Sequence, residues 1–218
     1  NFNQKFKMNV ANWFPVKDSY SIDYVAKNQK IKINVYKCYH DVPTVAYGIS
    51  IVKNKLKQEY ENLKSDPNKL KELKLNGISI TEEIYKKSIA FVWDTKIDVF
   101  QNKEILEYPV IMVECTFLLQ EEYEMSKEKS HIHWNDLKPF VIDNPETIFV
   151  LVHFSMRYKE KEILDFFDKE NLKNVKPWVL ETNDIPSYGI SNITNVTNDI
   201  PKITELVTFL TELVTFLT

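Results

Sequence analysis

The stretch PVIMVECT, residues 109–116, sets Val110, Ile111, Met112 and Val113 side by side and ends them on Glu114. A run that is apolar at both alternating positions reads as a strand buried on both faces. SIAFVW (88–93) and IFVLV (148–152) read the same way. Between and beyond these runs, Trp134–Ile142 and Glu160–Phe167 space their apolar residues as helices do. Strands alternating with helices predict a layered α/β architecture whose strand ends open at an edge. In such sheets the chemistry gathers just past the carboxyl ends of the strands.

Upstream, KIKINVYKCY (30–39) alternates Ile31, Ile33 and Val35 with polar residues, as a half-buried strand does. TVAYGISIVK (44–53) is a second, more apolar strand, and the short turn His40-Asp41-Val42-Pro43 suits an antiparallel hairpin. Residues 54–87 change to Lys, Glu, Asn and Leu at helical spacing (Leu56, Tyr60, Leu63, Leu70, Leu73), broken by Asp66-Pro67 and Asn76-Gly77. That predicts a charged insertion of two short helices projecting from the body. Near the end, TELVTFL at 204–210 repeats letter for letter at 211–217. Two copies are too few for a solenoid or a coiled coil. A recent duplication and an apolar tail that docks on a partner are the two readings.

The chain has 218 residues, 44% hydrophobic and 13% aromatic, which suffices for a core and excludes a disordered chain. A net charge of −3 means that nucleic-acid contact would need a local patch. Arg157 is the only arginine among 28 basic residues. Cys38 and Cys115 lie far apart with no CxxC spacing, which predicts buried free thiols in a reducing, intracellular compartment. No signal peptide or transmembrane run is visible, so no membrane partner is expected.

The polar residues are informative by position. The four histidines are His40, His131, His133 and His153. His40 and His153 directly follow predicted strands, and His131 and His133 open a predicted helix. Asp94 follows Ala90-Phe91-Val92-Trp93, and Glu114 closes Val110–Val113. A carboxylate at the mouth of a buried strand must find a partner, because an isolated charge there is very costly. Imidazoles and carboxylates converging from several strand ends suit a zinc-type site or an acid–base site. Each group taken singly also suits a satisfied structural role. At a helix start, His131 and His133 do not share a face, which leaves one of them for a cap or a supporting hydrogen bond.

CYHDVPTVAYGI (38–49), AFVWDT (90–95), MVECTF (112–117), SHIHWNDL (130–137) and LVHFSMRY (151–158) resemble, in order and spacing, the motifs of the ribonuclease Z family. The likeness is greatest to its short form and covers about residues 10–168; the charged insertion resembles the matching part too. It implies an α/β fold, half of an αββα metallo-β-lactamase sandwich with a mixed sheet and flanking helices. That half would occupy residues 1–180, with the arm at 54–87 and a tail at 181–218. It also implies a zinc-dependent endoribonuclease that removes 3′ trailers from tRNA precursors, with two ions in the complete site.

By the same resemblance His40, Asp94 and His153 are metal ligands, Asp94 bridging the two ions. Glu114 and His131 are the pair that assists proton transfer, so the catalytic set is Asp94, Glu114 and His131. A glutamate bonded to a histidine stabilises its imidazolium, which can then protonate a leaving oxygen. Lys55 and Lys57 on the arm, and Arg157 in HFSMRY, are the expected substrate contacts. The family's HxHxDH motif would lie before residue 1. The expected partners are therefore a tRNA precursor and an N-terminal half, on the same or a separate polypeptide, with room for a homodimer or larger assembly. Trp93 stands where the family has the glycine of GDT, and the arm lacks the Gly-Pro motif of longer relatives. Those departures leave two other readings: a catalytically degenerate structural or RNA-contacting subunit, and a hydrolase of the same fold with another substrate.

Overall fold

Among the described residues, seven strands form one mixed sheet whose spatial order is the order of the chain: β1 (Ser21–Ala26), β2 (Gln29–Lys37), β3 (Val45–Leu56), β4 (Thr81–Val92), β5 (Val110–Glu114), β6 (Ile148–Val152) and β7 (Val175–Pro177). The computed structural model describes residues 20–26 and 29–179. The TELVTFL repeat and most of the expected tail lie outside those residues. β1 to β4 pair antiparallel, and β4 to β7 pair parallel. Helices α1 (Pro67–Leu75), α2 (Tyr123–Glu128), α3 (Trp134–Asp143) and α4 (Glu160–Glu170) complete the regular structure, with short 3-10 turns between. The fold is α/β, a mixed sheet with flanking helices, as the buried apolar runs predict.

Alternation along the strands divides the core into two faces. Ala90, Val92, Ile111, Val113, Phe149 and Leu151 meet Trp134, Leu137 and Val141 of α3 and Ile163 and Phe167 of α4 in one buried cluster. Their neighbours Ile89, Phe91, Val110, Met112, Val150 and Val152 form a second buried cluster on the other face, with Trp93 and Trp178 against it. That two-sided burial is why these strands read as continuous apolar runs rather than as alternation.

The arm differs from its expectation. β3 runs on to Leu56 and β4 begins at Thr81, so the stem of the insertion is a β-ribbon in which Lys55 lies opposite Glu82 and Lys53 opposite Ile84. Only its tip is helical: a 3-10 turn over Gln58–Leu63 and α1. The ribbon stands clear of the body, and Glu82 through Lys86 are all exposed. It therefore has no apolar face to alternate with a polar one, which is the pattern that reveals a strand. Cross-strand pairing of opposite charges supports it instead, as does the ion pair of Lys30 Nζ with Glu83 Oε2 at 2.8 Å. At the tip, Asp66 caps α1 by accepting from the Lys69 amide at 3.1 Å, and Pro67 occupies the first turn, where its missing N–H has no cost.

Gly48 sits where the sheet leaves no room for a Cβ. A Cβ there would lie 2.2 Å from Tyr108 Oη and 2.8 Å from Tyr36 Cε2. Both rings are buried, and their hydroxyls meet at 3.0 Å. Burial raises the Tyr36 phenol well above its ordinary value. Gly48→Ala is expected to destabilise the protein by about 1–3 kcal/mol through overpacking, read as a lower urea midpoint at constant m-value. An unchanged midpoint would show that the tyrosine pair shifts without strain.

Candidate metal and acid–base site

β2 and β4 both run antiparallel to β3, and β5 and β6 run parallel to β4. The carboxyl ends of β2, β4, β5 and β6 therefore open at the same edge of the sheet. Beyond those ends lie His40, Asp94 and His153, and Glu114 is the last residue of β5. His131 arrives from the turn between α2 and α3. That turn is held to the segment after β5 by hydrogen bonds from the Phe117 amide to the Ile132 carbonyl (3.3 Å) and from the Trp134 amide to the Phe117 carbonyl (2.9 Å). Two of the positions adopt left-handed backbone, Ser130 at φ 60° and His153 at φ 60°. Non-glycine residues rarely do so, and such strain gathers where surrounding structure holds a functional group in place.

Asp94, His131 and His153 each bring a potential ligand atom within 4.8 Å of the other two. His153 Nε2 lies 3.5 Å from Asp94 Oδ1. The His131 ring centroid is 5.0 Å from that of His40 and 5.3 Å from that of His153. Beneath them Glu114 is fully buried, at 0% exposure. Its Oε1 accepts from the Thr95 amide at 2.7 Å and from His131 Nδ1 at 2.9 Å. Its Oε2 accepts from the Thr116 hydroxyl at 2.6 Å and from the Ile132 amide at 3.3 Å. Four donors fill the acceptor capacity of an ionised carboxylate. The hydrogen bond to Glu114 raises the His131 pKa above its ordinary value, against the lowering effect of burial. His131 is thus held toward its charged form, with Nε2 on the side away from Glu114.

The other histidines differ. His133 is buried, accepts from the Asn135 amide through Nδ1 at 3.0 Å as the cap of α3, and donates through Nε2 to the Leu119 carbonyl at 2.9 Å. Both nitrogens are in use, so His133 is the structural member of the HxH pair. His40 accepts from the Val42 amide through Nδ1 at 3.2 Å, and its Nε2 is buried with no hydrogen-bond partner. A buried imidazole nitrogen without a partner is costly in a protein interior. Next to it, Asp41 accepts from the Ser130 hydroxyl at 2.8 Å and so joins the His40 turn to the His131 turn.

Lys55 and Lys57 are not brought to this site. Lys55 lies opposite Glu82, and from there to Asp94 the chain extends by roughly 40 Å at strand rise. Arg157 is close but partly occupied: its Nη1 is 3.6 Å from Glu122 Oε1, its Nε donates to Ser155 Oγ at 3.2 Å, and its guanidinium covers the Phe117 ring at 5.6 Å. Phe117 in turn contacts the His131 ring edge-on at 6.3 Å. Tyr158 donates to the buried Glu122 carboxylate and accepts from the Leu118 amide at 2.9 Å, tying the loop after β6 to the loop after β5. Cys38 and Cys115 are free and buried, as expected. Burial pushes the Cys38 thiol up to about 12.

Sequence reasoning missed Thr95 and Thr116. Both are buried and both donate to Glu114. Thr95 does so through its backbone amide, which any residue could supply, and Thr116 through its hydroxyl; neither carries a spacing signal, so only the fold reveals them.

The donor set fits a zinc-type ion. Neutral imidazole nitrogens and a carboxylate are its usual ligands, and Asp94, His131 and His153 each bring such a group to one place; His40 lies outside that group, with its Nδ1 lone pair taken by the Val42 amide. In α/β sheets such groups at the carboxyl ends of the strands lie where ligands bind. No protein-family model matches the chain. It is 32% identical over 139 residues to tRNase Z TRZ1 of Arabidopsis thaliana, covering 62% of this chain and 49% of that protein. It is 30% identical over 141 residues to the chloroplastic tRNase Z TRZ2 of the same plant, covering 61% and 38%. Nuclear ribonuclease Z of Triticum aestivum matches at 41% identity over 54 residues, covering 25% of this chain and 30% of that one. Among solved structures, human tRNase Z short form (ELAC1) aligns with a TM-score of 0.37 at 14% identity, over 71% of this chain and 42% of that one. Over the matched stretch the chain is similar to these tRNase Z proteins, and it spans about half or less of the length of the relatives it matches. No helix among the described residues is long and apolar enough to cross a membrane.

Proposed function

We propose that this chain carries one side of the catalytic centre of a zinc-dependent endoribonuclease that trims 3′ trailers from tRNA precursors. It would work with an HxHxDH-bearing N-terminal half on the same or a separate polypeptide. The observation that supports this most is the Glu114–His131 hydrogen bond at 2.9 Å, set beside Asp94 and His153. The activity named for the plant relatives points the same way.

In this reading His40, Asp94 and His153 would hold the ions, which would supply water activation and charge neutralisation at the phosphoryl group. Glu114 keeps His131 protonated, and His131 gives that proton to the leaving 3′ oxygen. Arg157, one ring away from His131, and Lys55 and Lys57 on the ribbon contact substrate phosphates. Each such contact adds to a salt-sensitive affinity. Residues 1–180 form the domain, with 54–87 as its arm and 181–218 as a tail.

His131→Ala tests the assignment in the complete enzyme. Zinc content should stay at the wild-type value, while single-turnover cleavage of a precursor tRNA falls by about 10²–10⁴-fold. Cleavage at the wild-type rate would remove the proton-donor role.

A further inference from the structure

The Thr116 hydroxyl lies 2.6 Å from Glu114 Oε2 and 3.0 Å from His153 Nδ1. We propose that Thr116 is a positioning residue: it fixes His153 as the Nδ1–H tautomer and ties that ring to the same buried carboxylate that holds His131. The inference rests on the reading of His153 as a metal ligand, and goes beyond it by assigning what orients the ligand.

Proton counting carries the argument. A hydroxyl has one proton to give, and an ionised carboxylate can only accept. At 2.6 Å the Thr116 proton therefore points at Glu114. What Thr116 turns toward His153 is a lone pair, and only a protonated Nδ1 completes that contact. In the neutral ring, Nε2 then carries the lone pair, and it faces Asp94 Oδ1 at 3.5 Å. Two acceptors that approach so closely repel unless a cation sits between them, which is the arrangement a metal ligand pair adopts.

Thr116 is itself well placed for this role. It is buried, and its carbonyl accepts from the Ser155 amide at 3.0 Å, which fastens it to the loop that follows His153. His153 has a left-handed backbone, φ 60°, so its ring direction is imposed by such partners rather than by a relaxed chain. Glu114 thus serves two imidazoles from its two oxygens: His131 directly through Oε1, and His153 through the Thr116 hydroxyl on Oε2. Each ring is left with Nε2 as its outward nitrogen.

The test compares wild type, Thr116→Val and Thr116→Ser in the full chain. Valine keeps the volume and deletes the hydroxyl; serine keeps the hydroxyl. Long-range ¹H–¹⁵N correlation spectra of the zinc-free protein at mildly alkaline pH report the tautomer of each histidine. The expected result is Nδ1–H for His153 in wild type and Thr116→Ser, and a shift toward Nε2–H, the form free histidine favours, in Thr116→Val. His131 should remain Nδ1–H in all three, which also verifies that the valine variant is folded at the site. Chelator-competition titration with zinc alone should then show affinity about 10–100-fold weaker for Thr116→Val and near wild type for Thr116→Ser. An Nε2–H His153 in wild type, or a tautomer indifferent to valine, would overturn the proposal, as would equal zinc affinity in the two forms. Failure of the complete protein, with its HxHxDH-bearing half, to bind zinc would instead sink the metal reading above, while the tautomer spectra would still decide the role of Thr116.

Discussion

Glu114→Ala is expected to lower the unfolding free energy by about 3–5 kcal/mol, among the largest effects of any single substitution in this chain. The carboxylate is fully buried and collects the Thr95 amide, His131 Nδ1, the Thr116 hydroxyl and the Ile132 amide. Deleting it strands four donors that water cannot reach, and each buried unpaired donor costs about 1–3 kcal/mol before relaxation. Relaxation and entering water recover part of that, which is why the total stays below the simple sum. Chemical denaturation of the metal-free protein measures it, and a loss under 1 kcal/mol would show that the donors find other partners.

Glu114→Gln separates charge from shape. The His131 pKa is raised chiefly by its hydrogen bond to Glu114. A histidine with a folded pKa above its unfolded value contributes stability that is fully present below the unfolded pKa, near 6.5, and is lost as pH rises through the folded pKa. The gap between wild type and Glu114→Gln should therefore be widest on the acid side of that window and narrow above it.

In the complete protein, with its HxHxDH-bearing half, Asp94→Ala is expected to abolish stoichiometric zinc binding while leaving the fold intact. The Asp94 side chain is 37% exposed and its described partner is His153 Nε2 at 3.5 Å, so its removal strands little inside the protein. Its backbone carbonyl, which accepts from the Thr44 hydroxyl at 2.9 Å, survives the substitution. Stability should change by no more than about 0.5 kcal/mol, as for other exposed positions. Elemental analysis after dialysis is decisive: zinc retained at the wild-type ratio would leave Asp94 a surface carboxylate with no ligand role.

The sheet was legible where both faces of a strand are buried, as in Val110–Glu114 and Ile148–Val152, because burial dictates residue type directly. The ribbon half of β4 was not. Its residues Glu82–Lys86 face solvent on both sides, and its pairing comes from backbone bonds that any polar residue can make. The same distinction runs through the site. Asp94, Glu114 and His153 could be nominated because a charged or titratable residue at the end of an apolar run is conspicuous. Thr95 and Thr116 could not, since their importance lies in distances to Glu114 that depend on how β4, β5 and the His131 turn meet. The division of labour within the HxH pair also needed the structure, which shows both His133 nitrogens in use.

Because the strands lie in the sheet in the order in which they occur in the chain, each strand meets a neighbour already synthesised when it leaves the ribosome. The hairpins of β1 to β4 close over local separations and can nucleate early, and β5, β6 and β7 then add one at a time at a single growing edge. The candidate site residues accordingly arrive in sequence: His40 and Asp94 with the antiparallel meander, Glu114 next, His131 after it, and His153 last. Until β6 docks, His153 and Thr116 cannot meet and the two imidazoles cannot share their carboxylate. A nascent chain stalled before that point would hold the scaffold of the candidate site without His153, so under the proposed metal reading the site would be completed late in synthesis, as a consequence of strand order.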